Sequence, residues 1–465
     1  MSKLKNWYAS LQEEEKSSED AILTPLTMKQ RRPALPLIAV SFGWAFLMLG
    51  MIVGESIVPA QSVNEIISAI VIGNGLLFIL CFLAGYIAYK TGCNTALIYR
   101  LVFGNKGMIL PCILVMIVGV GWQASIVGMF AEIWVGPEVT PTYFAIAFIG
   151  GILVTLTCYK GIKGLEIISW PALICLLTLA FIAIVTSFNA IGGMAGVDSA
   201  AQKLFLSTPS NLATKINLII GSWIVGALFV GDFTRFAKSK KTVLGFVAIN
   251  FLFVQPLLHI MGVLGGAAHG SYNPAVYMAT AGSMLWFFIL ISFVLAIWTT
   301  GDNNLYFTQT PLSNMLKIPR KISVLILGTI GSLAAALGML NYIGVFINVL
   351  AGLIPPIIGP VVVDFYLIHK RKYDVTLLDR LPAVNVPAII SYIVGVIVPL
   401  LYTPSWLPGG IMGIIVSVIT YSLITWVYMT KGKKFGYMEA LPNNNAVGNV
   451  FIENNSEATA GSLNK

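Results

Sequence analysis

Long uninterrupted runs of apolar residues, separated by short polar stretches, dominate the chain. Each run is about 20 residues long without a two-residue alternation, as expected of a helix that crosses a membrane. The alternating strands of a transmembrane barrel are excluded. The pattern predicts an all-α polytopic membrane protein with twelve transmembrane helices, at residues 34–60, 66–89, 107–134, 142–159, 165–187, 212–231, 243–266, 283–304, 322–340, 342–368, 386–402 and 409–429.

Positive charge is distributed very unevenly between the segments that join these runs. With the N-terminus inside, 26 of the 28 lysines and arginines fall on the cytoplasmic side, and only Lys203 and Lys215 fall outside. Cytoplasmic loops are enriched in basic residues. We therefore expect both termini in the cytoplasm, with solvated polar tails at 1–33 and 431–465 flanking a twelve-helix domain at 34–430. The net charge of +9 reflects this topology and does not indicate a nucleic-acid partner.

The eighth run ends in a dense polar stretch, Trp298–Asn304, which contains Thr299-Thr300 and Asp302. Lipid cannot satisfy hydroxyl, carboxylate and amide groups, so they must face a cavity, water, an ion or another helix. A helix end that reaches the headgroups is the alternative. Against it, apolar residues follow the stretch, and the next basic residue is Lys317. We interpret the stretch as the wall of an ion and solute site at mid-membrane.

Glycines interrupt the first and sixth runs, at Gly43, Gly50, Gly54 and at Gly221, Gly226, Gly231. Interrupted segments at corresponding places in two halves are typical of broken helices at a transport site. Close packing of helices through small residues explains Gly50 and Gly54 equally well. Units five helices apart have opposite orientations, as inverted repeats require. We expect repeats at about 34–187 and 212–368, broken helices 1 and 6, and peripheral helices at 386–402 and 409–429.

Motifs of other functional classes are missing from the sequence. Neither His-Glu-x-x-His nor a glycine-rich phosphate loop ending in Gly-Lys-Ser/Thr occurs, so an enzyme is not expected. The five cysteines are scattered without a close pair, which argues against a zinc site or a disulfide framework. No repeated pore motif or charged ring indicates a channel. A carrier without a cofactor is the expectation that is left.

Four sequence motifs occur together in the chain: Gly221-Ser222-Trp223, Gly231-Asp232-Phe233-Thr234-Arg235-Phe236, Trp298-Thr299-Thr300-Gly301-Asp302-Asn303 and Val363-Asp364-Phe365-Tyr366. This set resembles the motifs of the nucleobase–cation symporter family of cytosine and purine permeases. The resemblance covers about residues 30–430, and the motifs occur in the family's order. It implies a LeuT-like core of five plus five inverted helices with two peripheral helices. It also implies cation-driven uptake, usually with sodium, of a purine or pyrimidine nucleobase.

Site residues also follow from the resemblance. Sodium would bind between helices 1 and 8, through oxygens of Gly43, Phe46, Ala296, Thr299 and Thr300, and a hard cation prefers such oxygen ligands. The heterocycle would lie between two tryptophans and contact polar groups at its edge, where Gly119 stands in place of a glutamine of cytosine permeases. The residues implied are Trp122, Trp223, Gln123, Ser222, Asn303 and Gly119.

Two alternatives stay open at this point. A threonine pair is also compatible with a proton-coupled or uncoupled carrier of the same fold. The substrate class includes allantoin, hydantoins and thiamine precursors, because Gly119 and Gly301 replace polar residues that cytosine permeases carry.

Overall fold

Helices account for all the regular elements of the computed structural model, which describes residues 2–18, 20–278 and 282–442. Every predicted apolar run forms helix. Among the described residues, eight helices are long and apolar enough to cross a membrane alone, and two bent pairs raise the number to ten. The elements are α1 (Ala34–Ala45 and Met48–Ser56), α2 (Val63–Thr91), α3 (Ile109–Val135), α4 (Pro141–Cys158), α5 (Ile162–Ile191), α6 (Leu212–Thr234), α7 (Lys240–Ala248, Ile249–Val254 and Gln255–His269), α8 (Ser283–Leu316), α9 (Arg320–Ala336), α10 (Ile343–Leu353 and Pro355–Ile368), α11 (Val386–Leu401) and α12 (Gly409–Thr430).

Helix α1 is broken, as expected from the sequence. Its two parts meet at Phe46 and Leu47, which have extended or irregular backbone angles, and their axes differ by 50°. The expected interruption of helix 6 is not seen, because α6 is continuous over Leu212–Thr234. Its Gly226 instead makes room for aromatic rings. A Cβ atom there would lie 2.8 Å from Trp223 Cε3 and 3.4 Å from Trp44 Cη2.

The two alternatives for Gly50 and Gly54 are resolved in favour of close packing. A Cβ atom at Gly54 would lie 2.2 Å from the carbonyl oxygen of His259, and one at Gly50 would lie 2.8 Å from Leu258 Cβ. Both contacts come from α7. The pair therefore lets the second part of α1, Met48–Ser56, lie directly against the backbone of α7.

Helices α6 and α8 form the centre of the bundle. Every residue of α6 from Ile219 to Thr234 is buried, as is every residue of α8 from Thr299 to Asn314. Helix α8 continues to Leu316, well beyond the predicted end at residue 304. The polar stretch Trp298–Asn304 therefore lies in the protein interior and not at a helix end in the headgroups.

The N-terminal region differs from the expected solvated tail. Residues 20–32, which we call the N-terminal strap, lie across the helix ends, and Ile22 is fully buried. Arg235 Nη1 donates to the Ala21 carbonyl at 2.6 Å, and side-chain amides of two other helices donate to the Ile22 carbonyl. These donors satisfy backbone groups that a lone extended segment would leave unpaired. The amide donors are Asn94 and Asn314, at 2.6 and 3.0 Å.

The C-terminal region is described as far as residue 442. Its short helix Tyr437–Ala440 packs against the domain, and Tyr437 is buried. The predicted C-tail is therefore partly folded onto the protein. The asparagine-rich part of that tail lies outside the described residues.

Candidate ion and substrate site

The break in α1 releases two backbone carbonyls. In an unbroken helix the Gly43 carbonyl would accept from Leu47 N and the Phe46 carbonyl from Gly50 N. Here Leu47 N donates to the Ala45 carbonyl at 2.9 Å, and Gly50 N donates to the Leu47 carbonyl at 3.0 Å. The carbonyls of Gly43 and Phe46 are thus free to meet another group.

Helix α8 brings hydroxyls to these carbonyls. Thr300 Oγ1 lies 3.3 Å from the Gly43 oxygen and 3.2 Å from the Phe46 oxygen. A hydroxyl has one hydrogen, so it cannot make a full hydrogen bond to both carbonyls at once. A cation between the three oxygens would satisfy all of them, and unwound backbone of a broken helix is a known source of such ligands.

Thr299 and Ala296 complete the predicted group of five. Thr299 Oγ1 donates within α8, with the Ala296 oxygen at 3.0 Å and the Leu295 oxygen at 2.9 Å. The position of a Cβ atom on Gly43 would be 3.5 Å from Thr299 Cβ, so this threonine also adjoins the break. The fold therefore brings the five predicted ion-site residues to one place where α1 meets α8.

A cavity lined by aromatic side chains lies beside the break. Its volume is about 30 Å³, far below the roughly 300–1,000 Å³ of typical ligand pockets. The side chains around it must therefore move apart before a ring compound can bind. The lining residues are Trp44, Leu47, Trp122, Ile126, Ser222, Trp223, Val225, Gly226, Thr300, Asn304 and Phe307.

Three of the six predicted substrate residues line this cavity, namely Trp122, Trp223 and Ser222. Gln123 and Gly119 do not line the cavity but contact Asn304, which does. Asn304 Nδ2 donates to the Gly119 carbonyl at 2.8 Å and to Gln123 Oε1 at 3.2 Å. These two residues therefore hold Asn304 against α3.

Asn303, predicted at the substrate's edge, does not line the cavity. Its Nδ2 donates to the Thr299 carbonyl at 2.8 Å, one turn back in the same helix. The side chain at the cavity is that of Asn304, four residues after Thr300 and therefore on the same helix face. Both amide hydrogens of Asn304 are used by α3, which leaves Oδ1 as the atom that can accept from a ligand.

Sequence reasoning missed several lining residues, among them Trp44, Asn304 and Phe307. The Trp44 ring contacts Trp223 edge-on, with centroids 5.2 Å apart, and Phe307 at 5.9 Å. A tryptophan directly after Gly43, in the interrupted part of an apolar run, was the available indication. The cavity thus has three indoles from three helices instead of two from two.

Replacement of each of the two neighbouring asparagines by alanine should separate their roles. Asn304→Ala is expected to weaken substrate binding about tenfold, the order expected when a bound polar group loses its partner. Asn303→Ala, which removes a bond within α8, should change substrate affinity at saturating ion concentration by less than a factor of two. Equilibrium binding to purified protein checks both variants, and equal losses would contradict the assignment.

Comparison with known proteins agrees with this architecture. A family model for permeases of cytosine/purines, uracil, thiamine and allantoin matches residues 31–430. The cytosine permease of Escherichia coli (strain K12) is 31% identical over 385 residues, which cover 83% of this chain and 88% of that protein. The hydantoin permease of Microbacterium maritypicum is 22% identical over 376 residues, covering 72% and 73%.

Solved structures of two transporters share the fold. Mhp1, a nucleobase-cation-symport-1 family transporter in a closed conformation with bromovinylhydantoin bound, superposes with a TM-score of 0.74 at 20% identity, over 88% of this chain and 95% of that one. A Na⁺-coupled sialic acid symporter superposes with a TM-score of 0.59 at 14% identity, over 94% and 98%. The expected LeuT-like fold is confirmed, and the chain is an integral membrane transporter and not an enzyme. It belongs to the family of cytosine and purine permeases, the nucleobase–cation symporters.

Proposed function

We propose that this protein takes up a planar nitrogen heterocycle together with sodium by alternating access. The observation that carries the proposal is the dual role of residues 43–46. This short segment supplies two carbonyls that face Thr300 and also carries Trp44 into the aromatic cavity. An ion that fixes the backbone of the segment would also fix one wall of the substrate cavity.

That arrangement provides a physical basis for coupling. A ligand shifts a conformational equilibrium only through different contacts in the two states. The ion would favour the state in which the carbonyls of Gly43 and Phe46 converge on α8, and in that state the Trp44 ring lies against Trp223 and Phe307. Ion and substrate would therefore each raise the affinity for the other.

The chemistry of the cavity favours a flat ring that carries an N–H group. Indoles stack on planar ligands, and Asn304 Oδ1 requires a donor at the edge of the ring. Cytosine and hydantoin, which the relatives' names give as their substrates, both meet these requirements.

A proton-coupled carrier is the second candidate, because α8 also carries a buried carboxyl group two residues after Thr300. Asp302 is fully buried, and its Oδ1 lies 2.5 Å from Thr157 Oγ1. Its Oδ2 has no hydrogen-bond partner among the described residues. An ionised carboxylate in such a place is costly, so a neutral, protonated form is favoured.

Transport by purified protein in proteoliposomes distinguishes the candidates. Radiolabelled nucleobases, allantoin, a hydantoin and a thiamine precursor are each offered with an inward sodium gradient, with choline in its place, and with an inward proton gradient alone. We expect accumulation of a planar N–H heterocycle that requires the sodium gradient. Accumulation driven by the proton gradient in choline would support the second candidate and contradict the first.

We further propose that both termini lie in the cytoplasm, on the basis of the distribution of lysine and arginine. A reporter fused to the C-terminus and one inserted near residue 200, between α5 and α6, should report opposite sides of the membrane. The measurement uses two reporters, one that is active only in the cytoplasm and one that is active only on the opposite side of the membrane. Same-side activity at both positions would contradict this topology.

A further inference from the structure

Helix α7 places a buried glutamine against the break in α1. Gln255 is fully buried, and its Nε2 donates to the Ala45 carbonyl at 2.7 Å. The residue directly follows the π-helical turn Ile249–Val254 and begins the last α-helical part of α7. Turns of this kind rotate the side chains that follow them and are frequent at functional sites.

The Ala45 carbonyl lies between the two candidate ion ligands in sequence and directly precedes Phe46. Its oxygen also accepts from Leu47 N at 2.9 Å, across a tight turn. The peptide unit that begins with this carbonyl leads directly into Phe46. Rotation of that unit would therefore change the direction in which the Phe46 carbonyl points.

Packing leaves Gln255 in a closely fitted position. A Cβ atom added to Gly50 would lie 3.2 Å from Gln255 Oε1 and 2.8 Å from Leu258 Cβ. Among the described residues, the side chains that hydrogen-bond to the carbonyls of residues 43–46 are those of Thr300 and Gln255. Thr300 Oγ1 lies near the carbonyls of Gly43 and Phe46, whereas the Gln255 amide donates to the Ala45 carbonyl, between them in sequence.

We propose that Gln255 is a positioning residue for the coupling ion, which it does not itself contact. By fixing the Ala45 carbonyl, it holds the carbonyls of Gly43 and Phe46 in the directions that an ion between α1 and α8 requires. Without the amide, residues 43–46 can adopt other backbone angles. Only a fraction of the protein then has the geometry that binds the ion, so the apparent affinity for the ion falls. This inference rests on the proposed sodium coupling.

The test is a sodium titration of purified Gln255→Met, a replacement of similar length without a donor. We expect the sodium concentration for half-maximal uptake to rise about tenfold, the order expected for one buried hydrogen bond. The substrate KM at saturating sodium should change less than twofold, which a general loss of folding would not produce. The sodium concentration that gives half of the full rise in melting temperature should increase by about the same factor.

Gln309→Met is the matched control. It removes an amide–carbonyl bond of the same length, from Gln309 Nε2 to the Tyr306 carbonyl at 2.7 Å, on the ion-site helix but away from the break. Its half-maximal sodium concentration should equal that of the unmodified protein. If Gln255→Met does not fold, Gln255→Asn replaces it, because that amide is one methylene too short to reach Ala45.

The outcomes separate this inference from the function on which it rests. Sodium-dependent uptake with an unchanged half-maximal concentration in the Gln255 variants would overturn the positioning role alone. Sodium-independent uptake by the unmodified protein would overturn both the proposed coupling and the role of Gln255. Equal shifts in the Gln255 and Gln309 variants would show a general effect of losing a buried amide and would also overturn the inference.

Discussion

Replacement of Thr299 and Thr300 together by alanine is expected to abolish the stimulation of uptake by sodium. The change removes the hydroxyl oxygen that lies 3.2 and 3.3 Å from the freed carbonyls and the neighbouring hydroxyl on the same helix. Of the five oxygens proposed for the ion, only the backbone carbonyls of Gly43, Phe46 and Ala296 would be left, and three such ligands hold a hard cation poorly. Initial uptake rates over a range of sodium concentrations, at matched amounts of protein, provide the measurement.

Thr300→Ser is the control for this experiment. It keeps the oxygen and removes only a methyl group, so its sodium response should stay close to that of the unmodified protein. A double alanine variant that kept its sodium response would place the ion elsewhere. A serine variant as defective as the double alanine variant would show that packing, and not the hydroxyl, is what the site needs.

Replacement of Trp122 or Trp223 by alanine is expected to remove measurable substrate binding. Stacking on one ring face is worth about 1–3 kcal/mol in nucleic-acid complexes, which corresponds to roughly 5- to 150-fold in affinity. Each variant also opens the cavity to water. Phenylalanine at either position keeps an aromatic face and should retain part of the affinity. Equilibrium binding of radiolabelled substrate to purified protein, in saturating sodium, checks both replacements.

Trp286→Ala provides the matched control, because its ring is partly exposed on the outer surface of α8 and does not line the cavity. Its affinity should be unchanged. Unchanged affinity in both cavity variants would instead show that the substrate binds elsewhere in the protein.

The sequence was sufficient for most of the helices, and the family resemblance predicted the meeting of α1 with α8. Apolar runs about 20 residues long have few alternatives to a spanning helix. A short polar stretch inside such a run must face a protected site, and Thr299 and Thr300 do lie in the interior beside Gly43. The residue types within such a run therefore predict a buried helix without knowledge of which other helices surround it.

Features that depend on helix rotation could not be predicted in the same way. Neighbouring residues on a helix point about 100° apart, so the choice between Asn303 and Asn304 depends on how α8 is turned toward α3. Gly119 fixes that turn. A Cβ atom there would lie 2.0 Å from Thr308 Oγ1, so only glycine allows α3 to approach closely enough for Asn304 to reach its backbone. No pattern within α8 alone contains this information.

Partners distant in sequence were equally inaccessible. Residues three apart on a helix are neighbours, so the spacing of Asp232 and Arg235 is typical of an ion pair. Instead, the Arg235 guanidinium donates to the Asp232 and Ala21 carbonyls. The strap residue Ala21 lies more than 200 positions away, in a region whose polar composition resembles that of a solvated tail. The composition of the strap does not reveal that its carbonyls accept hydrogen bonds from buried side chains.

The strap also constrains the order in which the protein is assembled. Residues 20–32 precede the transmembrane helices in the chain, yet the partners of Asp20 and Ile22 include Arg320 and Asn314, which emerge about 300 residues later. The strap therefore cannot reach its final position until α8 and the start of α9 have been made. Until then the Ile22 carbonyl lacks its Asn314 donor, and Asp20 lacks Arg320. Docking of this early segment can therefore be completed only after about two thirds of the 465 residues have been made.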